Sequence, residues 1–319
     1  MSAYILRRIL GAIPLIFLVL VINFLILHLA PGDPVFFFIQ GGAGTTEEYV
    51  AQIRQMLGLD RSLGEQFLIF MKNLVQGDLG YSHFYQRPVF DLIIERLPIT
   101  FLLVILSTIF ASVAGIILGT FAGTKPYSAV DHINTSVAVF GYSIPTFWLG
   151  QLLIIGLSIH LDIFPTGGIP SRFTGGVGII EWIRHLILPV ISLGFVQLAL
   201  AARVMRASTL EILGMDYILT ARAKGLKESV VIFKHALRNA VLPVLTVTSV
   251  NFAFQFTGAL IIETVYSWPG LGRMMFESVF RRDYPILMGL LIVSSIAVIV
   301  VNLIADLLYG YVDPRIVYD

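Results

Sequence analysis

The chain has 319 residues, 57% of them hydrophobic and only 13% charged, with a net charge of +1 and a mean hydropathy of +0.87. A soluble domain carries about 25% charged residues, so this composition describes an integral membrane protein and gives no basis for nucleic-acid binding. The absence of cysteine excludes disulfides, thiolate metal sites and cysteine nucleophiles.

Six apolar segments approach the roughly 20 residues a helix needs to cross a bilayer. They run over Ile9–Leu29, Thr100–Gly123, Val137–Ile159, Leu186–Val204, Val241–Ile262 and Ile286–Tyr309. The first follows Arg7 and Arg8 like a signal peptide, but its apolar run is too long and no small-residue cleavage site follows, so it reads as a retained helix. The expected fold is all-α, with six transmembrane helices. Lys and Arg in the inner segments number 11 with the N-terminus inside, against 5 in the short outer loops. This asymmetry favours an N-in, C-in topology.

Two regions are expected: residues 1–97, the first span plus an external helical cap, and residues 98–319, a five-helix core. After span 1, LAPGDP (Leu29–Pro34) forms a turn that cannot continue the helix. GGAG (Gly41–Gly44) reads as a flexible link, without the G-x-G-x-x-G of a phosphate loop. Thr46, Glu47 and Glu48 predict a helix running to Leu57 and ending at Gly58, and a second covers Leu63–Val75 and ends near Gly77. His28 and Glu263 lie at span ends and read as interfacial. Asp306 has the same reading in preference to a proton relay with Asn302.

Candidate pathway residues fall in two spans. In span 3, Pro145 within GYSIPTFWLG (Gly141–Gly150) predicts a kink, because proline removes a helix hydrogen bond. Tyr142 and Trp148 lie beside it. In span 5, Thr248, Asn251 and Gln255 share one face. That face reads either as a pathway lining or as interhelical hydrogen bonding.

The loop between spans 4 and 5 covers residues 205–239, and the stretch Tyr217–Pro243 reads as a basic island with Arg203 and Arg206 just upstream. Arg203, Arg206, Arg222, Lys224, Lys227, Lys234 and Arg238 would together cost on the order of 20 kcal/mol to bury in lipid, so all seven are expected in water. Tyr217–Lys224 is rich in helix formers, Gly225 stands where a helix C-cap belongs, and Lys227–Asn239 predicts a second helix. A structured basic loop on a membrane protein reads as a docking surface.

The chain has no P-loop, no H-E-x-x-H metal spacing (EWIRH, Glu181–His185, lacks the first His) and no G-x-S-x-G elbow. It has no evident internal repeat and few intramembrane charges. No catalytic or metal site is therefore expected. Such a protein moves something with energy supplied by a partner; a membrane scaffold or receptor with a partner-binding loop and an ion-gradient carrier are the competing classes.

DYILTARAKGL (Asp216–Leu226) and HALRNAVLP (His235–Pro243) resemble the signature loop of ATP-binding-cassette importer permeases of the peptide and nickel group. GDLGYS (Gly77–Ser82), ERLPIT (Glu95–Thr100), WPGLGR (Trp268–Arg273), RRDYP (Arg281–Pro285) and DLLYGYVDPR (Asp306–Arg315) extend the resemblance along nearly the whole chain. The likeness is to the first-permease type. Against the broader importer pattern, Leu219, Thr220 and Ala221 replace Glu-Ala-Ala, and of Ile-x-Leu-Pro only Leu237 matches, which argues against sugar-type or amino-acid-type permeases.

The resemblance implies a homologous second permease, two ATPase subunits that carry ATP and Mg, an extracytoplasmic substrate-binding protein, and no cofactor in this chain. It implies an ATPase-coupling helix within Tyr217, Thr220, Ala221, Arg222, Ala223, Lys224, Gly225 and Leu226, where small exposed residues such as Ala221 admit a partner's groove. The implied cargo is di- or oligopeptide, with nickel or a chelated metal, glutathione and oligosaccharide as alternatives.

Overall fold

In a computed structural model, the backbone is described over residues 2–29, 35, 47–56, 58–170 and 178–312. LAPGDP beyond Leu29, the GGAG link and the side chains of Asn302 and Asp306 lie outside the described residues. The described part is dominated by helices, because apolar runs in lipid must satisfy their backbone internally.

Chain contacts divide the molecule into two compact units, the first being Met1–Ile99 with Gly270–Ile299 and the second Thr100–Pro269 with Val300–Asp319. In the first unit, α1 (Ser2–Leu29) is followed by the cap helices α2 (Glu47–Met56) and α3 (Leu63–Val75). Gly58 closes α2 with φ +68°, and Gly77 adopts φ +78° beyond α3, both where the sequence places helix ends. Ser62 and Glu65 form a reciprocal capping box at the start of α3, and the hydrogen bonds from Ser62 hold the Glu65 carboxyl below its usual range. Phe67 and Phe70 of α3 pack on Leu20 and Phe24 of α1 and on Met288 and Ile292 further along the chain.

A short hairpin, absent from the sequence reading, pairs β1 (Tyr81–Ser82) with β2 (Arg87–Pro88). It leads into α4 (Val89–Thr124), which starts well before the apolar window. A helix of that length rises about 54 Å, more than the roughly 30 Å hydrocarbon core, so hydrogen bonding carries it past the membrane boundary.

The second unit is built on α7 (Ile179–Leu213). Gly115, Gly119 and Gly123, one per turn on α4, meet it along a single stripe. A Cβ at Gly119 would stand 2.5 Å from the Ala202 carbonyl oxygen, and one at Gly115 2.6 Å from the Ala201 Cβ. Small residues at this spacing let backbones close where van der Waals packing, not water exclusion, drives association.

The predicted kink in the third span is a full break. α5 (Ala129–Ser143) and α6 (Thr146–His160) meet at 110°. Ile144 is extended at φ −94°, ψ 121°, as a residue before proline prefers, and Pro145 then starts the new helix. A second, 41° bend separates α9 (Glu228–Ala240) from α10 (Leu242–Val265), which opens with Pro243. The remaining helices are α8 (Asp216–Ala223), α11 (Leu271–Arg281) and α12 (Tyr284–Val312). Among the described residues, three helices are long and apolar enough to cross a membrane, or five if each bent pair counts as one span.

Glu263 stands near the end of α10. It is fully buried and accepts a 2.7 Å hydrogen bond from Thr100 Oγ1. His28 stacks on Phe24 and bonds its carbonyl oxygen through Nδ1.

Candidate coupling site

α8 is short, and its ends explain why it holds. Asp216 sits in its first turn, where a carboxylate complements the helix dipole. At the other end the Gly225 amide donates to the Arg222 carbonyl (2.9 Å) and the Leu226 amide to the Ala221 carbonyl (3.4 Å). With Gly225 at φ +75°, this is the paired Schellman closure, which requires a left-handed residue.

Ile218 and Ala221 bury against Val231 and Ala236 of α9, with Ile212 and Leu213 from the end of α7 alongside. Ala221 is only 6% exposed, which corrects its expected exposure: it is a small residue because α9 approaches closely there. Tyr217, Thr220, Arg222, Ala223, Lys224, Gly225 and Leu226 are exposed, as is Leu219. Two ties fix α8 on α9. Arg222 makes a two-pronged ion pair with Glu228 (2.7 and 3.2 Å), and Asn239 Nδ2 donates to the Tyr217 hydroxyl (2.9 Å).

Six of the seven basic residues are exposed, as their charge demands. Arg206 is the exception. It is half-buried on α7 and bonds both carboxylate oxygens of buried Asp131 near the start of α5. The Tyr127 amide also donates to Asp131 (2.9 Å). Nothing in the local sequence marks this pair, because its members stand 75 positions apart. α9 carries a π-helical stretch, Val231–Ala236, and leads directly into the bend before α10.

The candidate pathway residues are not one cluster of exposed polar groups. Tyr142, Pro145 and Trp148 are exposed at the α5–α6 break. Thr248 and Asn251 are half-buried, and Asn251 donates to its own helix at Val247. Gln255 is buried. It accepts from Thr108 Oγ1 (3.0 Å) and donates to Gln197 Oε1 (3.0 Å), while Gln197 donates to the Thr248 carbonyl. This network joins α4, α7 and α10. A second one ties α6 to α7 and to the residue that follows α10: the buried Tyr266 hydroxyl bonds Ser192 Oγ (2.9 Å) and the Gly150 carbonyl (3.1 Å).

The described residues thus combine helices of membrane-span character with a capped, largely exposed helix between the fourth and fifth apolar runs. The chain belongs to the family described as the binding-protein-dependent transport system inner membrane component, whose match covers residues 115–318, with the corresponding N-terminal region matching residues 1–104. It is a transport subunit of the inner membrane, not an enzyme.

Among its relatives, the oligopeptide transport system permease protein AppB of Bacillus subtilis is 41% identical over 100% of both chains. The dipeptide permease protein DppB of Escherichia coli is 40% identical over 99% of both, and the glutathione permease protein GsiC of the same species 40% over 100% of both. In fold, the chain resembles a solved structure of the MetNI methionine ABC transporter in an inward-facing conformation, with a TM-score of 0.55 at 16% identity, over 70% of this chain and 96% of that one.

Proposed function

We propose that this chain is one of two homologous permeases of an ATP-driven importer of di- or oligopeptides. Two of the relatives above are named for oligopeptide and dipeptide transport, which supports this cargo; the third is named for glutathione, the alternative cargo. In this reading the six spans are α1, α4, the broken α5–α6, α7, α10 and α12, with both termini inside. An extracytoplasmic binding protein delivers cargo, and two ATPase subunits hold ATP and Mg on the inner side.

The observation that carries the reading is α8: a capped helix with one face pinned to the protein and the other exposed. When the ATPase subunits close, they press on the exposed side of Tyr217, Thr220, Arg222, Ala223, Lys224, Gly225 and Leu226. Ala221 and Ile218 pass the displacement to α9 and to the end of α7. α9 feeds the bend before α10, and Arg206–Asp131 carries α7 to α5. The motion so reaches the helices that bear Tyr142, Pro145, Trp148, Thr248, Asn251 and Gln255, which line or frame the cargo path.

Reconstitution with the second permease, the ATPases and the binding protein tests this. ATP hydrolysis should rise with added di- or oligopeptide in the presence of the binding protein. A complex that ignores every peptide and responds to nickel or an oligosaccharide would exclude the peptide reading.

A further inference from the structure

α11 has an apolar face that the fold does not cover. Leu271 and Met274 point into the core of the first unit, against Val89, Ile93, Ile286 and Leu290, and Ser278 is also buried. Arg273, Glu277 and Arg281 recur at four-residue intervals and form one flank. That flank is occupied: Glu277 accepts from Arg273 (2.9 Å) and from the Tyr85 hydroxyl (2.7 Å), and the Arg281 guanidinium lies 3.4 Å over the Phe84 ring. Burial works against the Glu277 carboxylate, yet these hydrogen bonds hold its pKa below the usual value. The remaining face holds Phe276, Val279 and Phe280. Phe280 is 74% exposed, and its ring lies 4.8 Å from that of Phe276.

A helix turned to water shows polar residues there; this one shows none. We propose that α11 lies in the membrane–water interface and buries Phe276, Val279 and Phe280 in phospholipid.

Three features favour lipid over a protein partner. Five residues separate α11 from the end of α10 and two separate it from the start of α12, reaches of at most about 18 and 7 Å. Those tethers hold α11 at the level where the chain leaves and re-enters the bilayer. The exposed face has no hydrogen-bonding side chain, whereas protein interfaces carry about one hydrogen bond per 100–200 Å². On the first turns of α4, after the hairpin that grips the charged flank, Phe90 and Ile94 are also exposed, a second apolar site in the same unit. Aromatic and apolar residues beside arginines are what an interfacial helix uses. The inference rests on the reading that α10 and α12 cross the bilayer.

The test places p-benzoylphenylalanine at position 280, and separately at position 296 on the exposed side of α12, in the assembled transporter in phosphatidylethanolamine/phosphatidylglycerol nanodiscs. Illumination should add the mass of one phospholipid to the subunit at both positions. A cross-link from 280 to another subunit, or no adduct at 280 while 296 takes lipid, overturns the inference alone. No lipid adduct at 296 overturns it together with the reading of α12 as a span.

Discussion

Gly225 has open space where a Cβ would stand, so a substitution there meets only backbone strain within this chain. For most residues a left-handed conformation costs roughly 1–2 kcal/mol, and Asp and Asn tolerate it best. Gly225→Asn should therefore leave the subunit folded and coupled. Gly225→Asp adds a charge to the docking side, and peptide-stimulated ATP hydrolysis should fall at least about tenfold, equivalent to ~1.4 kcal/mol. Equal, normal rates for both variants in the reconstituted complex would remove α8 from the docking role. The glycine was legible because helix formers precede it and a C-cap was due. The side on which Ala221 lies was not. A small residue fits an exposed docking face and a close helix crossing equally well, and only α9 decides between them.

At the scale of elements, the α4–α7 contact depends on three glycines one turn apart. Overpacking a tight core costs typically about 1–3 kcal/mol. Gly119→Leu drives a side chain into the α7 backbone and should lower the thermal midpoint of the purified subunit or block its assembly. Gly11→Leu on α1, where nothing stands within 4 Å of the added Cβ, should be neutral. Matching melting curves for the two would show that the stripe does not set helix spacing. The breaks follow a similar division. Pro145 announced a bend, since the residue before a proline avoids the helical region. The 110° angle depends on where α6 finds its partners, and Tyr266 bonding to Ser192 and Gly150 supplies them. The hairpin at Tyr81–Pro88 was illegible because each strand is two residues long, too short for an alternating pattern.

For the whole molecule, the absence of cysteine lets a single introduced one report topology. Lys224→Cys should react with a membrane-impermeant maleimide only after the inner membrane is opened, and Asp60→Cys, on the cap, should react in intact spheroplasts. The reverse pattern would invert the N-in orientation and put α8 beyond the reach of any cytoplasmic ATPase.

The sequence by itself determined that the chain lives in a membrane, because lipid rejects charge and 13% charged residues leave no other solvent for it. It also pointed to a water-exposed basic loop, six of whose seven cations are exposed, and to a helix in that loop with a stop at Gly225. Only the tertiary structure decided which polar groups the fold itself consumes. Asp131 takes Arg206 out of the exposed set, Thr100 bonds the buried Glu263, and Thr108 and Gln197 engage Gln255. Each pairing joins residues at least 58 positions apart. Helical periodicity reports the face a residue occupies; the partner that face meets is fixed by packing between helices distant in the chain.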